Sequence, residues 1–259
     1  MLENFLALFK YFPEFNSGVY AGLIIFSRFV GFIMLAPVIS RKEIPVIVKI
    51  SLIFILTIVF VNILKPPHPP ANFSLILSIT LNTVFGTIIG FAAQAIFATL
   101  SAAGDMINMQ MGLSSSMMFD QSTKSQSSVI GTFFTLFGAI LFINMGGIFW
   151  LLSAFNRSFE IFSIYGTSIP LAKVISIDYL ILITSNILYM GLQIAAPVLL
   201  ATLGQDIILG IISKTAPQVN VFQLSFLFKP VLGTAILLFI MPMLLNVIND
   251  YFAYFSSIY

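Results

Sequence analysis

The stretch from Gly18 to Ile39, GVYAGLIIFSRFVGFIMLAPVI, carries one charge, Arg28. A helix needs about 20 largely apolar residues to cross roughly 30 Å of hydrocarbon, and this stretch supplies them. Working outward, it extends to 17–40, and five more runs follow at 44–64, 72–104, 127–155, 174–205 and 219–249. The links hold the breakers and most of the charges: Arg41-Lys42-Glu43, Lys65 to Pro70, a Ser-rich segment at 113–128, then 156–173, and 206–218 with Lys214 and Pro217. The prolines at 66, 67, 69 and 70 cannot continue a helix and read as an extended link. The pattern predicts one all-α membrane domain with about six long apolar segments.

Composition agrees. The 259 residues are 59% hydrophobic and 8% charged, with a mean hydropathy of +1.07. Soluble domains carry about 25% charged residues, so a folded globule of this composition could not cover itself in water. The net charge of +2 comes from 11 basic and 9 acidic residues spread along the chain with no basic stripe, which argues against a nucleic-acid partner. Without cysteine there is no disulfide, thiol catalysis or thiolate metal site, and the lone His68, in the proline link, offers no triad or metal cluster. No cofactor and no enzymatic activity are expected. Met1-Leu2-Glu3-Asn4 lacks a basic n-region, so the N-terminus does not read as a secretory signal.

Two features fit six plain spans poorly. The third run is too long for one crossing and contains Gly86 and Gly90. If the links alternate sides, Lys10, Lys65, Arg157 and Lys173 oppose Arg41, Lys42, Lys124 and Lys214, a balance that fixes no orientation. Re-entrant hairpins or neighbouring subunits would resolve both.

Arg28, Lys49 and Lys229 lie inside apolar runs, with Asp105 and Asp206 at the ends of others. A mid-bilayer charge costs about 2.5–3.5 kcal/mol on insertion scales, so such groups face a protein interior, a partner or water. A proton relay needs a chain of titratable groups that this sequence lacks. Pairing, within the chain or across subunit contacts, is the expectation. Gly18–Gly22 and Gly86–Gly90 both fit G-x-x-x-G, a weak signal of close helix contact. Met106, Met109, Met111, Met117 and Met118 crowd together beside Leu113 and Phe119, with Gly112 and Ser114 to Ser116 suggesting a loop. Flexible thioethers either fill an irregular core or close around a variable object.

At this segment the chain resembles the FliR/SctT family of type III secretion export-gate proteins. Ala102-Ala103-Gly104-Asp105 through Gln110-Met111-Gly112 resembles the family's small-Gly-acidic…Gln-Met-Gly signature. A second match is Pro217-Gln218-Val219-Asn220-Val221-Phe222 followed by Lys229 and Gly233; a third runs from Arg28 through Pro37 and Pro45 to Lys49. Order, spacing and length agree over essentially the whole chain. Gln121 stands where the family usually has Pro after Asp120, while Gln110–Gly112 and the Lys229…Gly233 spacing are closer to the flagellar branch than to the injectisome branch.

The resemblance implies a structural channel subunit in the bacterial inner membrane, in the flagellar basal body. It would assemble with FliP and FliQ, contact FlhB, and pass unfolded flagellar export substrates. Residues 1–170 would be FliP-like and 171–259 FliQ-like, built as bent helical hairpins. The loop Gln110–Asp120 would plug the pore, with Met111, Leu113, Met117, Met118 and Phe119 as sealing groups around Gly112. Arg28, Lys49, Asp105, Asp206 and Lys229 would find partners in neighbouring subunits. There is no Walker motif, so in this family's manner energy would come from the membrane potential and a separate ATPase. A small-molecule secondary transporter is the alternative, with Pro197 and Pro230 as helix breaks and Asp206 as coupling group. An intramembrane hydrolase lacks its catalytic pair.

Overall fold

Pro45, at φ −56° and ψ 142°, opens one apolar helix, and Lys65, at φ 40°, closes it immediately before Pro66 and Pro67. Proline at the start costs no needed N–H, and proline after the end forbids continuation. The computed structural model describes residues 13–41, 43–70, 74–113, 118–120, 125–166 and 177–258. Its helices are α1 (Pro13–Leu35), α2 (Val46–Leu64), α3 (Leu75–Gln110), α4 (Val129–Asn144), α5 (Gly147–Ile161), α6 (Ile177–Thr215) and α7 (Val221–Ile258). Five of these helices are long and apolar enough to cross a membrane, and α4 with α5 makes up to a sixth span. The helical membrane architecture expected from the apolar runs is therefore present.

Three departures are informative. The third run is not interrupted at Gly86 or Gly90: α3 is continuous over 36 residues. At about 1.5 Å per residue it is far longer than the hydrocarbon core is thick. The fourth run, expected as one span, breaks at Met145–Gly146, where the chain bends by 73°. Gly146 takes φ 76°, a left-handed conformation that ends helices, and the Met145 amide still reaches the Leu141 carbonyl at 2.9 Å. Finally, the Ser-rich loop is not wholly irregular. Met118–Asp120 (β1) and Ser125–Ser127 (β2) pair antiparallel, Phe119 opposite Gln126, in a three-residue ladder between α3 and α4.

The chain divides into two compact units that do not follow chain order: 1–94 with 149–179, and 95–148 with 180–259. In the first unit, α1, α2 and α5 meet through aromatic rings. Phe29 stacks on Phe155 at 3.9 Å, and Phe60 meets Phe29 edge-on at 5.1 Å and Phe155 at 5.5 Å. Such pairs add about 0.5–1.5 kcal/mol each beyond area burial. Helices α1 and α3 approach backbone to backbone. A Cβ at Gly31 would strike the Thr83 carbonyl, and one at Gly86 the Arg28 carbonyl. The Gly86–Gly90 motif is thus a packing contact. The Gly18–Gly22 motif is looser: among the described residues nothing lies within 4 Å of a Cβ at Gly18, and Val61 Cγ2, at 3.8 Å, makes an ordinary contact with one at Gly22.

The second unit packs by small-residue notches. Gly104 abuts Gly131, joining α3 to α4, and the Leu100 side chain occupies the space beside Gly138. Gly191 of α6 sits over α3, where its Cβ position is 3.5 Å from Ala102 Cβ. Back in the first unit, α2 buries only Ile53, Thr57 and Phe60, leaving large apolar side chains such as Ile47, Phe54 and Ile63 outward. In water that face would be untenable; lipid or another membrane helix satisfies it.

Candidate functional site

Helix α3 delivers the methionine segment. Its last turns are followed by Met111, whose amide reaches the Ile107 carbonyl at 2.9 Å, and by Gly112 at φ 73°. That conformation is costly for any residue with a Cβ, which explains a glycine here. Met111 is fully buried. Its side chain lies over Gly233 of α7, so that a Cβ there would be 2.6 Å from Met111 Cγ and 3.0 Å from Sδ. Glycine at 233 leaves room for the Met111 thioether. Gln110, Gly112 and Leu113 are half-buried, and Met118, Phe119 and Asp120 form β1. Met117 lies outside the described residues, as do Gln121 and Lys124.

The other end of the loop is also tied. Ser128 caps α4, its Oγ accepting from the Gly131 amide at 2.9 Å while its hydroxyl donates to Asp105 Oδ1. A carboxylate beside a helix start is favoured by the macrodipole, so Asp105 serves the cap twice over. Met106 and Met109 remain on α3, Met109 exposed.

Charges expected to need neighbouring subunits find groups within the chain. Lys229 Nζ meets Asp206 Oδ1 at 2.8 Å, with side chains 19% and 38% exposed. Lys49 donates to the carbonyls of Ser40 at 2.9 Å and Arg41 at 2.8 Å, fastening the α1–α2 turn. In that turn Val38 adopts φ 67°, an outlier for a β-branched residue.

Arg28 is the most completely enclosed of these groups, with no exposed surface. No carboxylate faces it among the described contacts. Its Nε and Nη2 donate to Asn82 Oδ1 at 2.8 and 2.5 Å, Nη1 to Ser158 Oγ at 3.1 Å, and Nη2 also to the Phe162 carbonyl at 2.7 Å. The guanidinium stands 4.0 Å from the Phe159 ring centroid, with Phe85 and Phe162 further out. Asn82 is held in turn, its amide donating to Ser78 O at 2.8 Å and Ile164 O at 3.2 Å. Neutral dipoles and π faces thus replace an anion.

Asn82 and Ser158 were not singled out from the sequence, although polar residues in and beside apolar runs were the available signal. Asn108 and Gln205 in the second unit were missed as well. Both are buried, and neither side-chain amide meets a hydrogen-bond partner among the described residues at either of its polar atoms.

The motif 217–222 forms a turn and a helix start. The Val219 amide reaches Ala216 O at 3.0 Å, and Asn220 caps α7, its Oδ1 accepting from the Gln223 amide at 3.2 Å. Pro217 and Gln218 are exposed, and Phe222, 73% exposed, meets Phe226 edge-on at 4.9 Å.

The family model "Bacterial export proteins, family 1" matches residues 19–255. The chain is 26% identical to the flagellar biosynthetic protein FliR of Bacillus subtilis over 235 residues, 90% of each chain. It is 27% identical to FliR of Escherichia coli over 224 residues, 84% of this chain and 82% of that one. It is also 27% identical to the surface presentation of antigens protein SpaR of Shigella flexneri, over 155 residues, 60% of this chain and 58% of SpaR.

Proposed function

Because the chain belongs to the bacterial export proteins, family 1, we propose that it is a gate subunit of the flagellar type III protein export apparatus. It is an integral membrane component, and we place it in the inner membrane at the flagellar basal body. One observation carries the reading: similarity to flagellar FliR proteins over nine-tenths of the chain, joined to five or six helices of membrane length. In this reading it assembles with FliP and FliQ and contacts FlhB. Residues 1–170 play the FliP-like part and 171–259 the FliQ-like part. Unfolded flagellar proteins are the cargo.

The loop from Gln110 to Asp120 is the plug. Two features support that reading: Met118–Asp120 at its end pair with Ser125–Ser127, and its sealing groups are unbranched or aromatic apolar side chains, with one leucine. Such side chains block ions, yet part for a polypeptide. Met111, Leu113, Met117, Met118 and Phe119 are the sealing groups.

Native mass spectrometry of the tagged chain, extracted gently from its host's membranes, tests the assembly. One copy together with several copies of two other small polytopic proteins is expected. A monomer or homodimer, with extraction shown not to strip partners, would end the gate reading in favour of a transporter. The SpaR similarity favours a second reading, an injectisome gate. Crosslinking of cargo trapped in the gate separates the two: flagellar rod, hook or filament proteins are expected.

A further inference from the structure

Helices α1 and α2 leave a groove between them. It has a volume of about 680 Å³ and is lined by Gly22, Leu23 and Phe26 of α1 and by Phe54, Ile58 and Val61 of α2, all within the first unit. Two polar side chains border it, and both are spent on their own helix. The Thr57 hydroxyl donates to the Ile53 carbonyl at 2.7 Å, and the Asn62 amide to the Ile58 carbonyl at 2.8 Å. The groove therefore offers an occupant hydrocarbon contact and little else.

Its length and its end narrow the choice of occupant. Helix α2 has 19 residues, which at about 1.5 Å each nearly match a hydrocarbon core of roughly 30 Å. Lys65, directly after it, then falls at a membrane surface. From Phe54 to Asn62 the groove follows about 12 Å of the helix axis, close to the depth of one leaflet. A partner helix crossing the bilayer would need a track along the whole of α2, whereas an acyl chain needs one leaflet. Lys65 is tied to the groove's end, its amide reaching the Val61 carbonyl at 3.2 Å. It is exposed, and no carboxylate pairs with it among the described residues. It also holds φ 40° at a helix end where glycine is the usual residue, so a cation is kept there against the backbone preference.

We propose that the α1–α2 groove binds one phospholipid with an anionic headgroup, an acyl chain lying along Ile58 and Phe54 and the phosphate facing Lys65. The site uses no residue of the methionine loop and does not depend on the plug reading.

The first test keeps the full chain in its host's membranes. A photoreactive side chain in the groove (Ile58→p-benzoylphenylalanine), irradiated in the assembled apparatus, is expected to give the chain with the mass of one phospholipid added. A crosslink to another polypeptide would assign the groove to a partner helix and overturn the proposal, as would irradiation that adds no lipid.

Native mass spectrometry of the apparatus purified in mild detergent then separates a bound lipid from a general coat. Added phosphatidylglycerol is expected to be retained in preference to phosphatidylcholine. Gly18→Leu and Ile58→Trp fill the groove from half-buried and exposed positions, and each is expected to abolish retention of both lipids. Lys65→Gln is expected to weaken phosphatidylglycerol about fivefold, the share of one lysine at an anionic surface, and to leave phosphatidylcholine unchanged. Lys65→Arg should keep the preference. Retention unaffected by both groove-filling variants would overturn the site, and a Lys65→Gln effect equal for the two lipids would overturn the headgroup contact.

Discussion

The two units differ in how they hold their charged groups and in how much buried polarity they leave unmatched. In the first, Arg28 has its charge spread over Asn82, Ser158, the Phe162 carbonyl and three aromatic rings, and Asn82 is itself anchored twice. In the second, Asp206 and Lys229 form a partly exposed pair, while Asn108 and Gln205 are buried with their amides unmatched among the described residues. A satisfied network rigidifies what it connects; an unsatisfied amide costs about 1–3 kcal/mol and favours rearrangement. The first unit leaves single buried atoms unmatched, Ser78 Oγ and Gln94 Oε1, whereas in the unit that carries the methionine loop whole side-chain amides, Asn108 and Gln205, lack partners among the described residues.

The contrast can be broken most violently at Arg28. Arg28→Leu strands Asn82 Oδ1 and the Phe162 carbonyl, at about 1–3 kcal/mol for each acceptor left unpaired. We expect loss of the folded chain from detergent extracts, and expect Arg28→Lys to rescue little, since an ammonium cannot reproduce the fork. Recovery of Arg28→Leu near wild type in a thermal-aggregation assay would refute the network.

Next comes Gly86→Ala, whose Cβ meets backbone rather than a movable side chain. A cost of about 1–3 kcal/mol or more is expected from overpacking, read as a drop in the melting temperature of the purified chain. Gly18→Ala, facing open space, should stay within about 0.5 kcal/mol. Equal effects at the two positions would mean that the Gly18 face is covered in the assembly.

A third comparison sets Asn108→Leu against Asn82→Leu. The first removes an unmatched amide and should keep or raise the melting temperature; the second should lower it. A fall for both would show that Asn108 has a partner. The smallest effect is expected for Lys229→Met, about 1 kcal/mol or less for a partly exposed pair, and diminished further in high salt.

Helix positions were legible because hydrocarbon thickness imposes a length on apolar runs, and α2 shows it: Val46–Leu64 lies inside the run at 44–64. The break at Met145–Gly146 was not legible. No proline marks it, and the adjacent Gly146 and Gly147 are a weak signal because glycine is frequent within membrane helices. That an arginine needed partners could be read; which partners could not, because Asn82 and Ser158 come 54 and 130 residues later. Similarly, Gly86 and Gly18 look alike in sequence and differ only in what lies opposite them. At the loop, a methionine cluster was visible, but that Met111 would lie beside Gly233 was not, because the two are 122 residues apart in the chain.

The Arg28 network also sets a schedule for synthesis. Helix α1 enters the membrane carrying a charge that costs about 2.5–3.5 kcal/mol at mid-bilayer. Its first acceptor, Asn82, is made 54 residues later, and Ser158 130 residues later. At roughly 5–20 residues per second, α1 waits about 3–11 s for Asn82 and about 7–26 s for Ser158. During that interval α1 is a poor lipid-facing helix, and the insertion machinery has a reason to retain it until α3 and α5 arrive.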